Sequence, residues 1–214
     1  MIRIWGRVSS SNVQAALWCL NELDLTYERV DAGYLYGQVD TPEYLAMNPN
    51  GTIPTLEDEG GLILWETGAI LRYLAHKYAP DDFWPTDLIA RTNIDKWAEW
   101  SKLNIARNFT APIFWQVVRT PPSRQNKAAV TEALATLNHF LDIADRQLSN
   151  HRYIAGEQFS LADIQFGHCL YRYFDIDINR KTHPNLNRYY QELSNRPAFK
   201  THVMISYEEL REND

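Results

Sequence analysis

Ile2 and Ile4 alternate with polar neighbours, the two-residue period of a half-buried strand. A turn, Gly6-Arg7-Val8-Ser9-Ser10-Ser11, then leads into Val13, Ala16, Leu17, Leu20 and Leu23, which recur at helical spacing. Tyr27 to Val30 reads as a second strand. After a polar loop, Thr41-Pro42 opens a short helix, with threonine at the N-cap and proline in the first turn. Thr52 to Leu56 and Leu62 to Trp65 form a hairpin pattern around Asp58-Glu59-Gly60-Gly61. Thr67 is then the expected N-cap of a third helix carrying Ile70, Leu71 and Leu74.

The periodicity breaks at Ala79 to Asp87, and every later segment has the helical period. One long helix carries Trp97, Trp100, Leu103 and Ile113 before Thr120-Pro121-Pro122 stops it. Another carries Leu134, Leu137, Leu141, Ala144 and Leu148 at three- and four-residue steps. Ser160-Leu161-Ala162-Asp163 matches a capping box with aspartate in place of glutamate, and Pro184 and Pro197 open two further helices. The βαβ-αββα order followed by an all-helical half predicts an α/β N-terminal thioredoxin-like domain plus an all-α C-terminal helical bundle. The expected boundaries are residues 1–79, a linker over 80–87 and a helical domain over 88–214.

Composition narrows the function classes without choosing one. The 45% hydrophobic and 22% charged residues describe an ordinary globular chain. A net charge of -6 with scattered Lys and Arg argues against nucleic acid as partner, because counterion release needs a clustered basic face. No secretory leader is readable and no apolar run reaches membrane-spanning length, so no membrane partner and a cytoplasmic location are expected. Cys19 and Cys169 lie in apolar helical stretches and form no C-x-x-C pair, as reduced packing residues would. The six histidines show no ligand spacing, and no metal is expected.

Three segments are candidates for chemistry. Pro54 enters a strand pattern where a backbone donor would be lost, so it belongs at an edge or bend. A cis Ile53-Pro54 bond would turn the Ile53 N–H and C=O outward to pair with an extended peptide ligand; a trans proline at a strand start is the plain alternative. At Glu66-Thr67, the free N–H groups of a helix start favour a carboxylate while Glu66 suits an adjacent ammonium, which together recognise an amino-acid head group; simple capping is the plain alternative here. Ser9-Ser10-Ser11-Asn12 stands where a redox thioredoxin domain carries its cysteines. A serine hydroxyl there can donate to a bound thiolate, and a hydrogen bond to a charged group contributes about 1.5–3 kcal/mol, which lowers a thiol pKa by roughly one to two units. The alternative role for these serines is to cap the helix.

Taken together, these segments resemble the cytosolic glutathione transferase family over essentially the whole chain. Asn48-Pro49-Asn50-Gly51-Thr52-Ile53-Pro54 and Trp65-Glu66-Thr67-Gly68-Ala69-Ile70 are similar to its glutathione-binding segments, Ser160 to Ile164 to its C-terminal capping motif, and Gly6 to Val13 to a bacterial serine-type branch. The resemblance implies glutathione as co-substrate, with the Ile53 backbone on its cysteinyl part, Glu66 and Thr67 on its γ-glutamyl end, and Thr52 and Gln38 near its glycyl end. Spacing from the first strand favours Ser9 as the activating hydroxyl; the Ser-x-Asn pattern of this branch favours Ser10 with Asn12 as a second donor, and Ser10 is preferred. Ser11 belongs to the same turn. The electrophile, a small hydrophobic compound, is expected against the long helix near Arg107, Asn108, Ala111 and Trp115, although Trp115 serves equally well as a core residue. The family implies a homodimer. A glutathione-dependent peroxidase or dehalogenase, and a non-catalytic binding member, are the alternatives to a transferase.

Overall fold

The computed structural model describes residues 1–214. Four strands, β1 (Ile2–Trp5), β2 (Tyr27–Val30), β3 (Thr55–Asp58) and β4 (Leu62–Trp65), form one sheet in the order β2-β1-β3-β4. β1 runs parallel to β2 and antiparallel to β3, and β3 runs antiparallel to β4. The helices of this half are α1 (Ser11–Glu22), α2 (Pro42–Met47) and α3 (Thr67–Tyr78). The order is the one the hydrophobic pattern predicts.

Two boundaries differ from expectation. β3 starts at Thr55, which pairs with Trp5 and Trp65, not at Thr52. Pro54 has no N–H for the ladder, and the residues before it are folded into a loop by side-chain bonds described below. The N-cap of α3 is Glu66, with φ 68°, and Thr67 is already helical. Glu66 takes the turning role because its carbonyl accepts the first helical bond, from Ile70 N–H at 3.0 Å.

The segment joining the halves is packed, not a free spacer. Phe83 and Trp84 are buried, Asp81 accepts both the N–H and the hydroxyl of Thr86 at 2.7 Å, and Asp87 caps the following helix at Ala90 N–H. That helix, α4, is a continuous run of Leu88–Trp100, Ser101–Ala106, Arg107–Phe109, Thr110–Trp115 and Gln116–Val118. Ser101–Ala106 and Thr110–Trp115 are wound as wider π turns. Pro112 lies in the second, where a tight α turn would oppose its ring to the carbonyl four residues back.

α5 (Lys127–Asn150) buries Leu134, Leu137, Leu141, Ala144 and Leu148, the stripe its spacing predicts. The remaining helices are α6 (Leu161–Gly167), α7 (Leu170–Asp175), α8 (Pro184–Ser194) and α9 (Pro197–His202). At the start of α6, Asp163 accepts Ser160 N–H at 2.8 Å, Ile154 N–H at 3.0 Å and the Tyr189 hydroxyl at 2.8 Å, so the capping box also ties α8 and the preceding loop together. One apolar core runs through both halves, with Trp18 of α1 edge-on to Phe199 of α9 at 4.8 Å. Cys19 and Cys169 are buried free thiols inside it, and burial pushes the Cys169 thiol up to about 12. No helix is long and apolar enough to cross a membrane.

Candidate functional site

The Ile53-Pro54 peptide bond is cis. The loop before it is held by buried Asn48, whose Nδ2 donates to the Thr52 carbonyl at 2.8 Å and to Thr55 Oγ1 at 3.1 Å. Its Oδ1 accepts the Asn50 N–H at 3.1 Å. The Tyr44 hydroxyl bonds the same carbonyl at 2.7 Å and the same threonine at 2.9 Å. With the backbone of Thr52 pinned inward, Ile53 bonds neither its N–H nor its C=O to another backbone group. An open donor and acceptor on one residue is what an added extended strand pairs with. Gly6 and Gly33 make room: a Cβ at Gly33 would stand 3.1 Å from Ile53 Cδ1.

At the start of α3, the N–H groups of Thr67, Gly68 and Ala69 have no acceptor within the helix, and no side chain caps them. Thr67 is buried, whereas the Glu66 carboxylate is exposed and accepts from Lys102 Nζ of α4 at 3.0 Å. Free N–H groups beside an acidic side chain match the carboxylate and ammonium of an amino acid.

The three serines of the turn have different surroundings. Ser9 is buried; its hydroxyl donates to Glu209 and accepts from Arg7 Nη1, and its carbonyl accepts from Arg172 Nη2 at 2.5 Å. Ser10 is half-buried at the N-cap of α1, yet its hydroxyl makes no capping bond. Ser11 is buried in the first turn and Asn12 is exposed. The capping role open to these serines in the sequence is therefore unused: the start of α1 keeps its free N–H groups and carries no acidic residue, both conditions that favour a thiolate.

Beyond Ser9 the site is cationic. Arg7 lies over the Tyr34 ring at 5.3 Å, Arg119 over the same ring at 5.2 Å, and Arg119 again over Trp115 at 5.1 Å. Burial pushes the Arg7 and Arg172 guanidiniums down, Arg172 to about 10. Tyr34 is held at φ 57°, a left-handed conformation uncommon for an aromatic residue.

Residues 1–76 match the family description "Glutathione S-transferase, N-terminal domain" and residues 107–197 its C-terminal counterpart. The chain is 37% identical over 206 residues to glutathione S-transferase GstB of Escherichia coli, covering 96% of this chain and 99% of the relative. It is also 31% identical to glutathione S-transferase F11 of Arabidopsis thaliana, covering 94% and 96%. Among solved structures it resembles a theta class glutathione S-transferase from Xanthomonas axonopodis pv. citri with glutathione bound, at a TM-score of 0.91 and 40% identity, over 96% of this chain and 98% of that one.

The chain belongs to the glutathione S-transferase family.

Within this glutathione S-transferase, the residues anticipated for glutathione gather at one end of the sheet, after β1, β2 and β4 and before β3, and at the starts of α1 and α3. Thr52 and Gln38 are both exposed; the Gln38 carbonyl accepts the Thr41 N–H at 3.0 Å and the Thr41 hydroxyl at 2.9 Å. On α4, Arg107, Ala111 and Trp115 are exposed at four-residue steps. Asn108 stands apart from them: it lines a groove against α5 with Pro112, Ala129 and Glu132, and its amide donates to the Asn104 carbonyl at 2.9 Å. The wider turns of α4 rotate it out of the row that ideal helical spacing would give. Sequence reading missed Arg7, Tyr34, Asn48, Lys102, Arg119, Arg172 and Glu209. Arg7 and Asn48 lie within the Gly6–Val13 and Asn48–Pro54 segments and offered a local signal; Lys102 reaches Glu66, and Tyr34, Arg119, Arg172 and Glu209 reach the serine turn, only through the tertiary fold.

Proposed function

We propose that this glutathione transferase binds glutathione in the groove between the cis Ile53-Pro54 loop and the starts of α1 and α3, and that Ser10 donates to its thiolate. Ile53 offers its open N–H and C=O to the cysteinyl part of the tripeptide. The free N–H groups of α3 and the Thr67 hydroxyl take the γ-glutamyl carboxylate, and Glu66 takes the ammonium. Thr52 and Gln38 border the glycyl end, while Ser11 and Asn12 complete the turn. The bound thiolate supplies the nucleophile, and the residues of this chain hold its charge: the Ser10 hydroxyl and the helix dipole of α1 favour the anion over the thiol. The electrophile rests against α4 on the row Arg107, Ala111 and Trp115, where proximity to the sulfur raises its effective concentration. A homodimer with two-fold symmetry and a cytoplasmic location fit this reading.

The observation that carries the assignment is the contrast between Ser9 and Ser10. Ser9 Oγ is enclosed by Arg7 and Glu209, whereas the Ser10 hydroxyl is free of any intramolecular bond. Thiolate absorbance of bound glutathione, titrated in Ser9→Ala, Ser10→Ala and Ser11→Ala, tests it. Ser10→Ala is expected to raise the thiol pKa by roughly one to two units with stability unchanged. Ser9→Ala is expected to lower stability and leave that pKa in place. A parent protein that neither binds immobilised glutathione nor depresses its thiol pKa defeats the reading.

A further inference from the structure

Charge is distributed oddly around the serine turn. The chain carries a net charge of -6, yet three guanidiniums, Arg7, Arg119 and Arg172, converge there against one carboxylate, Glu209. Arg7 approaches Glu209 only to 3.9 Å, and the Nε atoms of both Arg7 and Arg172 are buried without a partner. Arg172 is 4% exposed and meets a carbonyl and the rings of Phe114 and Tyr207 instead of an acid. Buried cations are ordinarily paired, because an uncompensated one is costly to desolvate. One thiolate would answer part of this excess and leave Arg119 over.

Arg119 is also the most accessible of the three. It is half-buried at the end of α4, meets no carboxylate within 4 Å, and lies between two aromatic rings that face solvent, Tyr34 at 41% exposure and Trp115 at 44%. Guanidiniums bind carboxylates through paired, planar hydrogen bonds, and exposed rings give a flat group a surface to stack on. Tyr34 reaches this place from the first half through a left-handed backbone, Trp115 from the second through α4.

We propose that Arg119, with Tyr34 and Trp115, selects electrophiles that carry a carboxylate on a planar aromatic body. The inference rests on the transferase reading above and narrows its electrophile from a small hydrophobic compound to one that also carries a carboxylate. In the reaction the glutathione sulfur forms a bond to a ring carbon, the bond from that carbon to chlorine breaks, and chloride departs with the bonding pair. The thiol proton has already gone to solvent, and the carboxylate is unchanged.

Two aryl chlorides with one leaving group decide it: 4-chloro-3,5-dinitrobenzoate and its methyl ester, assayed with glutathione and scaled by their uncatalysed rates. The parent is expected to favour the carboxylate by about tenfold in scaled kcat/KM, the scale of one charge-assisted contact, with the preference falling as salt is raised. Arg119→Gln is expected to abolish the preference through KM for the carboxylate, and Arg119→Lys to keep part of it; an unchanged Kd for glutathione shows the first site intact. Equal or greater preference for the ester in the parent overturns the inference, as does an Arg119→Gln protein that keeps the preference. Turnover of the ester without preference leaves the transferase reading standing. Glutathione binding without turnover of either chloride sinks the electrophile assignment, and loss of glutathione binding itself sinks both.

Discussion

Asn48 Nδ2 donates to the Thr52 carbonyl at 2.8 Å, directly before the residue whose backbone stays open. The amide is buried, and its second acceptor, Thr55 Oγ1, begins β3. One side chain thus joins the end of α2 to the start of β3 and decides which way Ile53 faces. Asn48→Ala is expected to weaken glutathione binding about tenfold and to cost about 1–3 kcal/mol of stability, since the Thr52 carbonyl and Thr55 Oγ1 each lose the Asn48 donor and keep only Tyr44. Asn48→Asp is expected to be worse, because it would bury an acceptor-only carboxylate against the Thr52 carbonyl, itself an acceptor. Calorimetric titration with glutathione and urea unfolding measure the two effects separately.

Glu66 is tied to Lys102 on the surface, where ion pairs contribute little to stability. Glu66→Gln is expected to raise KM for glutathione about fivefold to tenfold while shifting stability by less than about 1 kcal/mol. A fall in thermal midpoint with KM unchanged would make Glu66 a structural tie between the halves instead of a ligand contact.

A methyl group at position 6 has no place to go. A Cβ on Gly6 would stand 2.4 Å from Val13 Cγ2, and its φ of 151° is one that side chains avoid. Gly6→Ala is expected to destabilise the chain by about 2 kcal/mol or more and to shift α1 with its serine turn. Denaturant midpoints give the first effect, and the thiol pKa of bound glutathione the second.

His168 is fully buried, and desolvation holds its imidazole down at about 4. The folded-state value lies below the unfolded one, so the unfolded chain binds more protons between them. Stability is therefore full above about pH 6.5 and falls as pH drops toward 4, by up to about 3 kcal/mol from this group. Urea unfolding at pH 7, 6, 5 and 4 is expected to show that slope, and His168→Gln to flatten its part of it; a slope identical in the variant excludes His168 as the cause.

Much of the fold was legible because its signals are local. The apolar stripe of α5, the Thr41-Pro42 start of α2 and the aspartate of the α6 capping box each act within a turn or two of chain. The segments proposed for glutathione were readable for the same reason: Ile53-Pro54 and Glu66-Thr67 are contiguous pairs whose backbone geometry follows from proline and from a helix start. Local rules also had limits. Asn108 left the expected row because π turns around Pro112 changed the helical period, and Thr67 yielded the cap to Glu66 because a left-handed φ was accepted by a residue without special preference for it.

The choice among Ser9, Ser10 and Ser11 was beyond any local rule. The three stand side by side with the same hydroxyl; Arg7 and Glu209 closing on Ser9 set it apart, and burial separates Ser11 from half-buried Ser10. Glu209 is brought there from the far end of the chain, as Arg172 and Arg119 are from the helical half. The sequence by itself determined the strands, the helices, the family and the two backbone segments suited to a γ-glutamyl peptide, since hydrophobic period, proline and helix ends act over a few residues. Only the tertiary structure decided that Ser9 is enclosed while Ser10 and Ser11 are not, and which charges surround the turn, because burial and charge at a point depend on everything packed against it.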